Sequence, residues 1–190
     1  EQMTVPFLEI AEVYTNGTKL IKRNTFVDDR GEFDRLFTTH DHLSDLESFH
    51  VKDVNISSSH RSVLRGMHFQ NAPFSQQKIV TVLQGEILDV TFKIPDPNAD
   101  KFPEDVHSTI LSGKDRKSLF IPANVAHGFL VISEFAVVVY LMDEVFNSDA
   151  YDGIHWRSFG FDWPISSPNV SKKDASLIDF LAYERPEFSG

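Results

Sequence analysis

The chain reads as an all-β sandwich or barrel. Short apolar–polar alternations replace the long 3.6-period stretches of helical proteins, and Gly, Pro, Asn and Asp interrupt them at close intervals. Only two segments carry helix-start chemistry. Strands are expected at Phe49–Ser57, Lys78–Leu83, Glu86–Ile94, Val106–Leu111, Lys117–Ile121, Gly128–Ile132 and Ala136–Met142. The second and third of these meet at Gln84-Gly85, which reads as a hairpin turn. Along Glu86–Ile94 the residues Leu88, Val90, Phe92 and Ile94 share one face, and Ile87, Asp89, Thr91 and Lys93 the other. Asp96–Asp100 and Ser112–Asp115 read as loops. Asp41–Ser48 reads as a short helix. Ser171-Lys172-Lys173-Asp174 has the spacing of a capping box that opens a C-terminal helix over Ala175–Leu181. Beyond Tyr183 the tail reads as irregular.

With no internal repeat, low-complexity tract or linker, residues 1–190 are expected to form a single domain. A hydrophobic fraction of 41% and 17 Phe residues supply a core. Glu1-Gln2-Met3 reads as a short leftover ahead of a natural start. No apolar run approaches the ~20 residues of a membrane span, and no charged-then-apolar leader opens the chain. A cytoplasmic location with no membrane partner is therefore the expectation. The absence of cysteine excludes disulfides, thiolate nucleophiles and cysteine metal sites. A net charge of −10 argues against a nucleic-acid partner held by a broad basic surface, yet leaves room for a small anion held by a few arginines.

The chemistry concentrates in Ser62-Val63-Leu64-Arg65-Gly66-Met67-His68-Phe69-Gln70, with Lys78 ten residues past His68. A histidine that takes a proton and a lysine that stabilises an oxyanion are what proton abstraction beside a carbonyl requires. In a strand, Gly66, His68 and Gln70 would share a face opposite Met67 and Phe69. Lys78 is in phase with Val80 and Val82, so its ammonium points either into a barrel or to water. Asp89 either orients a base, offsets a lysine or is solvated. His127 sits in the polar knot Pro122-Ala123-Asn124-Val125-Ala126-His127-Gly128-Phe129. Tyr140 is in phase with Ala136 and Val138, where a tyrosine is either a core residue with a bonded hydroxyl or an acid facing a base. Asp174 either caps a helix or acts in the site. Arg30 holds a phosphate or pairs with the acids beside it. Metal barrels that use a His-x-His pair would need a second histidine at position 70, which is Gln70, so no metal is expected.

Taken in order, several segments resemble the deoxythymidine-diphosphate-4-dehydrorhamnose 3,5-epimerase family. They are Asp29-Arg30-Gly31-Glu32-Phe33, Asn55-Ile56-Ser57, Leu64 to Gln70, Gln77-Lys78-Ile79-Val80, Gly85 to Val90, Ile121 to Phe129, Tyr140, Phe161-Asp162-Trp163-Pro164 and Ser171 to Asp174. The resemblance covers about residues 20–181. It implies a cupin-type double-stranded β-helix (jelly roll) with a few short helices, working as a homodimer that exchanges N-terminal strands. It implies a nucleoside-diphosphate 4-keto-6-deoxyhexose as substrate and no cofactor. His68 would be the general base, Asp174 its orienting partner, Lys78 the enolate stabiliser and Tyr140 the acid on the opposite face. Arg30, Glu32, Asn55, Arg65, Gln70 and His127 would bind substrate. The family more often carries an acid and then an arginine where this chain has Phe92-Lys93-Ile94-Pro95. It usually has a small residue at Gln77, a glutamine at Asp53 and a second tyrosine at Phe146. These departures leave open the sugar, the nucleotide base, and whether C3, C5 or both are inverted.

Three other functions remain in view. They are a 3,4-ketoisomerase on the same barrel, a catalytically silent nucleotide-sugar binding module and a metal-dependent oxygenase. Retention of Lys78 and Tyr140 favours epimerisation over the isomerase, which moves protons on one face only.

Overall fold

Two antiparallel sheets face each other, and the two-residue period of their strands decides which side chains enter the space between them. The computed structural model describes residues 6–39, 43, 46, 48–94 and 101–186. One sheet has six strands in the order β1 (Leu8–Val13), β2 (Lys19–Arg23), β10 (Lys117–Ile121), β7 (Lys78–Gln84), β12 (Phe135–Met142) and β5 (Asp53–His60). The other has five: β13 (Tyr151–Gly153), β6 (Leu64–Gln70), β11 (Val125–Val131), β8 (Glu86–Lys93) and β9 (His107–Ser112). From β5 to β13 the chain switches sheets at every step except β8 to β9. This is the cupin-type jelly roll. A separate hairpin, β3 (Phe26–Asp28) and β4 (Gly31–Phe33), belongs to neither sheet.

Burial explains why β11 is apolar almost throughout. Val125, Phe129 and Val131 point inward and pack between the sheets with Val80 and Val82 of β7, Ile87 of β8 and Val138 of β12. Ala126 and Leu130 point outward, where Trp156, Phe159, Trp163, Phe180 and Tyr183 of the C-terminal segment cover the five-stranded sheet. On the far side, Leu46 and Phe49 cover Ile21, Ile79, Phe120 and Leu141 of the six-stranded sheet. Both sheets are thus buried on two faces at their centres, and each fully buried aliphatic or aromatic side chain contributes about 1.5–3 kcal/mol.

Three sequence expectations change. Gln84-Gly85 is not a hairpin turn, because β7 and β8 lie in different sheets and do not pair. It is a corner where the chain crosses from one sheet to the other. Glycine is needed there: φ is +78°, and a Cβ would sit 2.0 Å from the Phe135 carbonyl oxygen. The strand expected over Phe49–Ser57 runs instead from Asp53 to His60, fixed by its pairing from Met142↔Asp53 to Phe135↔His60. The C-terminal helix shrinks to one turn, α1 (Lys172–Ala175), followed by a 3-10 turn over Phe180–Ala182. The Ser171 cap is made as the sequence suggests, with its hydroxyl accepting from the Asp174 amide at 3.0 Å. A bridge between Ile154 and Ile178 then draws the chain back to the sheet before a second turn forms. The helix expected over 41–48 and the loop over 96–100 lie largely or wholly outside the described residues. Among the described residues no helix is long and apolar enough to cross a membrane.

Gly85→Ala should destabilise the fold by at least ~1–2 kcal/mol from left-handed backbone alone, with the Phe135 contact added. Urea unfolding measures it, and an unchanged midpoint would contradict the corner geometry.

Candidate active site

A local irregularity in β6 builds the site. Across the β6–β11 ladder His127 pairs with His68, and Phe129 pairs with Arg65, so Gly66 and Met67 together face Gly128. This is a β-bulge, and it shifts the alternation of β6 by one residue. Leu64, Met67 and Phe69 therefore all reach the outer core, while Arg65 and His68 both line the cavity despite their odd spacing. Glycines permit it. A Cβ on Gly66 would lie 2.6 Å from the Gly128 Cα, and one on Gly128 would lie 2.7 Å from the Arg65 carbonyl oxygen.

The cavity encloses about 230 Å³ and is lined by Asn55, Ser57, Arg65, His68, Lys78, His127, Phe129, Tyr140 and Met142, among others. That is below the ~300–1,000 Å³ of sites that enclose a whole drug-sized ligand, so it suits a sugar-sized group with the rest of a longer ligand at its mouth. His68 and His127 stand on the five-stranded sheet, and Lys78 and Tyr140 face them from the six-stranded one. A wider concavity of about 400 Å³ at the β3–β4 hairpin is lined by exposed residues, including Phe26, Arg30 and Phe33, and offers no buried acid or base. The chemistry belongs to the smaller cavity.

Each histidine is held by a buried carboxylate. His68 Nε2 lies 2.7 Å from Asp174 Oδ1, while Asp174 Oδ2 accepts from the Gly66 amide at 3.2 Å. The single turn of α1 thus delivers Asp174 to His68 rather than completing the reciprocal half of a capping box. Burial alone would raise the Asp174 carboxyl, but His68, the Gly66 amide and Ser171 outweigh it and hold it below the usual carboxylate range. Burial pushes the His68 imidazole below its ordinary value, against the pull of Asp174 and with the aid of Lys78 and His127. At neutral pH the pair is a carboxylate beside a neutral ring. The proton then sits on Nε2, and Nδ1 is left as the acceptor.

His127 Nε2 lies 2.6 Å from Asp89 Oδ2. Asp89 is 1% exposed, and burial raises its carboxyl despite His127, His107 and Lys78 nearby. Its inward position matches the face it shares with Thr91 in the sequence. Lys78 retains some surface toward the cavity, yet protein surrounds it, and desolvation lowers its ammonium to about 8 with Asp89 resisting. It stays mostly protonated at neutral pH. The Tyr140 hydroxyl lies 3.1 Å from Ser57 Oγ, and burial pushes the phenol up to about 12 with Ser57 and Arg65 resisting. Tyr140 therefore keeps its proton at neutral pH. Arg65 sits at the mouth, its Nε donating to Ser59 Oγ at 3.0 Å.

Of the residues singled out from sequence, His68, Lys78, Tyr140, His127, Arg65 and Asn55 meet in this cavity, with Asp174 directly behind His68. Three do not. Gln70 is 2% exposed and holds loops, donating to the Phe74 and Val145 carbonyls and accepting from the Asn147 amide. Arg30 pairs with Asp28, and Glu32 pairs with Arg116, both on or near the separate hairpin. Sequence reasoning had left Asp89 open and missed Tyr151, whose ring lies 5.3 Å from that of His68. Nothing in the three-residue strand β13 marks that tyrosine as close to His68. Among the described residues no three His, Asp or Glu side chains gather as metal ligands.

Comparison with known proteins agrees with this geometry. The sequence profile of the dTDP-4-dehydrorhamnose 3,5-epimerase family matches residues 12–181. The enzyme of that name from Methanothermobacter thermautotrophicus is 36% identical over 165 residues, 84% of this chain and 87% of the relative. The crystal structure of the Bacillus anthracis enzyme with TDP and PPi bound superposes with a TM-score of 0.82 at 30% identity, covering 90% of this chain and 99% of that one. That of the Legionella pneumophila enzyme in complex with dTDP-4-keto-L-rhamnose gives 0.82 at 28% identity, covering 96% and 100%. With a cupin-type barrel and a cavity that carries the motifs themselves, the chain belongs to the dTDP-4-dehydrorhamnose 3,5-epimerase family.

Proposed function

We propose that this single-domain chain is an epimerase of a nucleoside-diphosphate 4-keto-6-deoxyhexose, with dTDP-4-dehydro-6-deoxy-D-glucose the expected substrate and a dTDP-4-dehydro-L-rhamnose type product. The observation that carries the reading is the opposition of a neutral, carboxylate-held His68 on one sheet to a protonated Tyr140 on the other, with Lys78 beside the tyrosine. His68 Nδ1 takes the proton from the carbon next to the ketone. The C–H electron pair moves to form the enolate, whose oxygen the Lys78 ammonium stabilises. Tyr140 returns a proton to the opposite face, and solvent then resets both groups. Substrate and product have the same oxidation state, so the step needs no electron acceptor. General acid–base help contributes ~100–10,000-fold per group, and an oxyanion partner about 2.7–4 kcal/mol.

We further propose a cytoplasmic homodimer. Val54 and Ile56 are exposed on edge strand β5, and Phe26, Val27 and Phe33 are exposed on the hairpin that belongs to neither sheet. An exposed apolar hairpin outside both sheets, carrying Arg30 and Glu32, suits a second copy, where those two residues would reach a substrate from the neighbour.

Incubation with the dTDP 4-keto-6-deoxyglucose in deuterated water, read by NMR of the sugar, tests the activity. Deuterium at C3 and C5 is expected; deuterium at one carbon would redefine the product as that of a single-carbon epimerase. No exchange with ligand still bound would overturn the reading in favour of a silent binding module. His68→Asn should lower kcat by ~100-fold or more. Tyr140→Phe should retain wash-out of the substrate proton while losing inversion. The pH profile of kcat/KM should rise through a limb below the ordinary histidine range, as His68 loses its proton. It should fall through about 8 as Lys78 loses its charge. A profile flat across pH 8 would contradict the role of Lys78.

A further inference from the structure

His68 faces a second concavity on the side away from Lys78 and Tyr140. It encloses about 380 Å³ and is lined by Arg65, His68, Tyr151, Ser171, Lys173 and Asp174, among others. Without a wall there, water would reach the base and its carboxylate from behind. Both groups border that concavity, and the Tyr151 ring covers part of the imidazole from that side. Edge strand β13 pairs with β6, placing Gly153 opposite His68 and Tyr151 opposite Gln70, so the ring leans back along the strand toward the imidazole. The two rings lie 5.3 Å apart at 45°. Tyr151 is itself fixed from two other sides. The Lys173 ammonium lies 3.7 Å from its ring centroid, and Phe146 meets it at 5.5 Å and 57°. Cation and aromatic contacts of this kind favour one rotamer of the ring.

We propose that Tyr151 is a positioning residue for the base: its ring, clamped between Lys173 and Phe146, closes the rear of His68 and holds the imidazole dry and oriented against Asp174. The inference rests on reading His68 as the base. Tyr151 would act through its face rather than its hydroxyl. Burial and the charges of Asp174 and Asp152 raise its phenol, so it stays neutral and adds no charge beside the histidine. The charged and titratable groups around His68 are Asp174 and Lys173 from α1, Lys78 from β7, His127 from β11, Arg65 from its own strand and Tyr140 from β12. None of them is removed by changing Tyr151.

The test combines an NMR titration of the His68 ring, assigned with His68→Asn, and steady-state kinetics. Tyr151→Ala should admit water, moving the His68 midpoint up by about half a pH unit or more toward its ordinary value. The acid limb of kcat/KM should move with it, and kcat should fall about 10-fold or more as the ring loses its orientation. Tyr151→Phe should restore the midpoint, the limb and most of kcat. A midpoint unmoved in Tyr151→Ala would overturn the inference, as would a loss in Tyr151→Phe equal to that in Tyr151→Ala. Tyr151→Gln, which fills the gap without an apolar face, carries the same readouts should the alanine variant not fold. The titration needs no substrate. A chain that shows the shift yet never exchanges the sugar protons would sink the epimerase reading, and with it the role of Tyr151 in positioning a base, whereas an unmoved midpoint in a chain that does exchange them would sink this inference alone.

Discussion

The hydrogen bond between His68 and Asp174 ties the C-terminal segment to the five-stranded sheet. Asp174 lies 106 residues beyond its partner, on a single helical turn. The bond decides which nitrogen of His68 carries the proton and hence which is free to act. It also explains the shape of the C-terminal segment, which packs Trp156, Phe159, Trp163 and Phe180 over the outer face of the five-stranded sheet and so fixes where α1 lands. Hydrogen bonds to charged groups contribute about 1.5–3 kcal/mol, and a buried carboxylate left without its donors is destabilising by a similar or greater amount. The stability of that segment and the readiness of the base are therefore one property.

Electrostatics in the cavity run against the chain as a whole. A protein of net charge −10 keeps Arg65 and Lys78 around the space where an oxyanion would form. The nearby acids are spoken for: Asp174 by His68 and the Gly66 amide, and Asp89 by His127. Desolvation moves the groups in useful directions. The imidazole is kept neutral, the phenol is kept protonated, and the ammonium is brought close to the working pH without losing its charge. A cavity sized for a sugar leaves nucleotide recognition to its mouth, where Arg65 sits.

Much of this was legible in the sequence, and the failures have physical causes. Strand alternation gave the phase of Lys78, Asp89 and Tyr140 along their strands, but not which face turns inward; the packing of the two sheets decides that. The cavity position of Arg65 did not follow from alternation, since the bulge at Gly66-Met67 breaks the period of two and only the facing Gly128 reveals it. Gln84-Gly85 resembled a hairpin because a glycine with positive φ serves a sheet-crossing corner as well as a turn; the choice between them is made by β10 and β12, which flank β7 and leave β8 no place beside it. The capping box at Ser171 was correct for its first half only, because Asp174 has a stronger partner in His68 than in a backbone amide of its own turn. Gln70 was misplaced because an amide in phase with a base is as useful for tying loops as for holding a sugar.

The proposed chemistry turns on the state of the His68 ring, so it is the quantity to measure first. Nitrogen chemical shifts of 15N-histidine protein at pH 7, assigned through the His68→Asn variant, report charge and tautomer together. A neutral ring with its proton on Nε2 and a bare Nδ1 is the predicted result. A doubly protonated ring, or a proton on Nδ1, would contradict the assignment of His68 as the base.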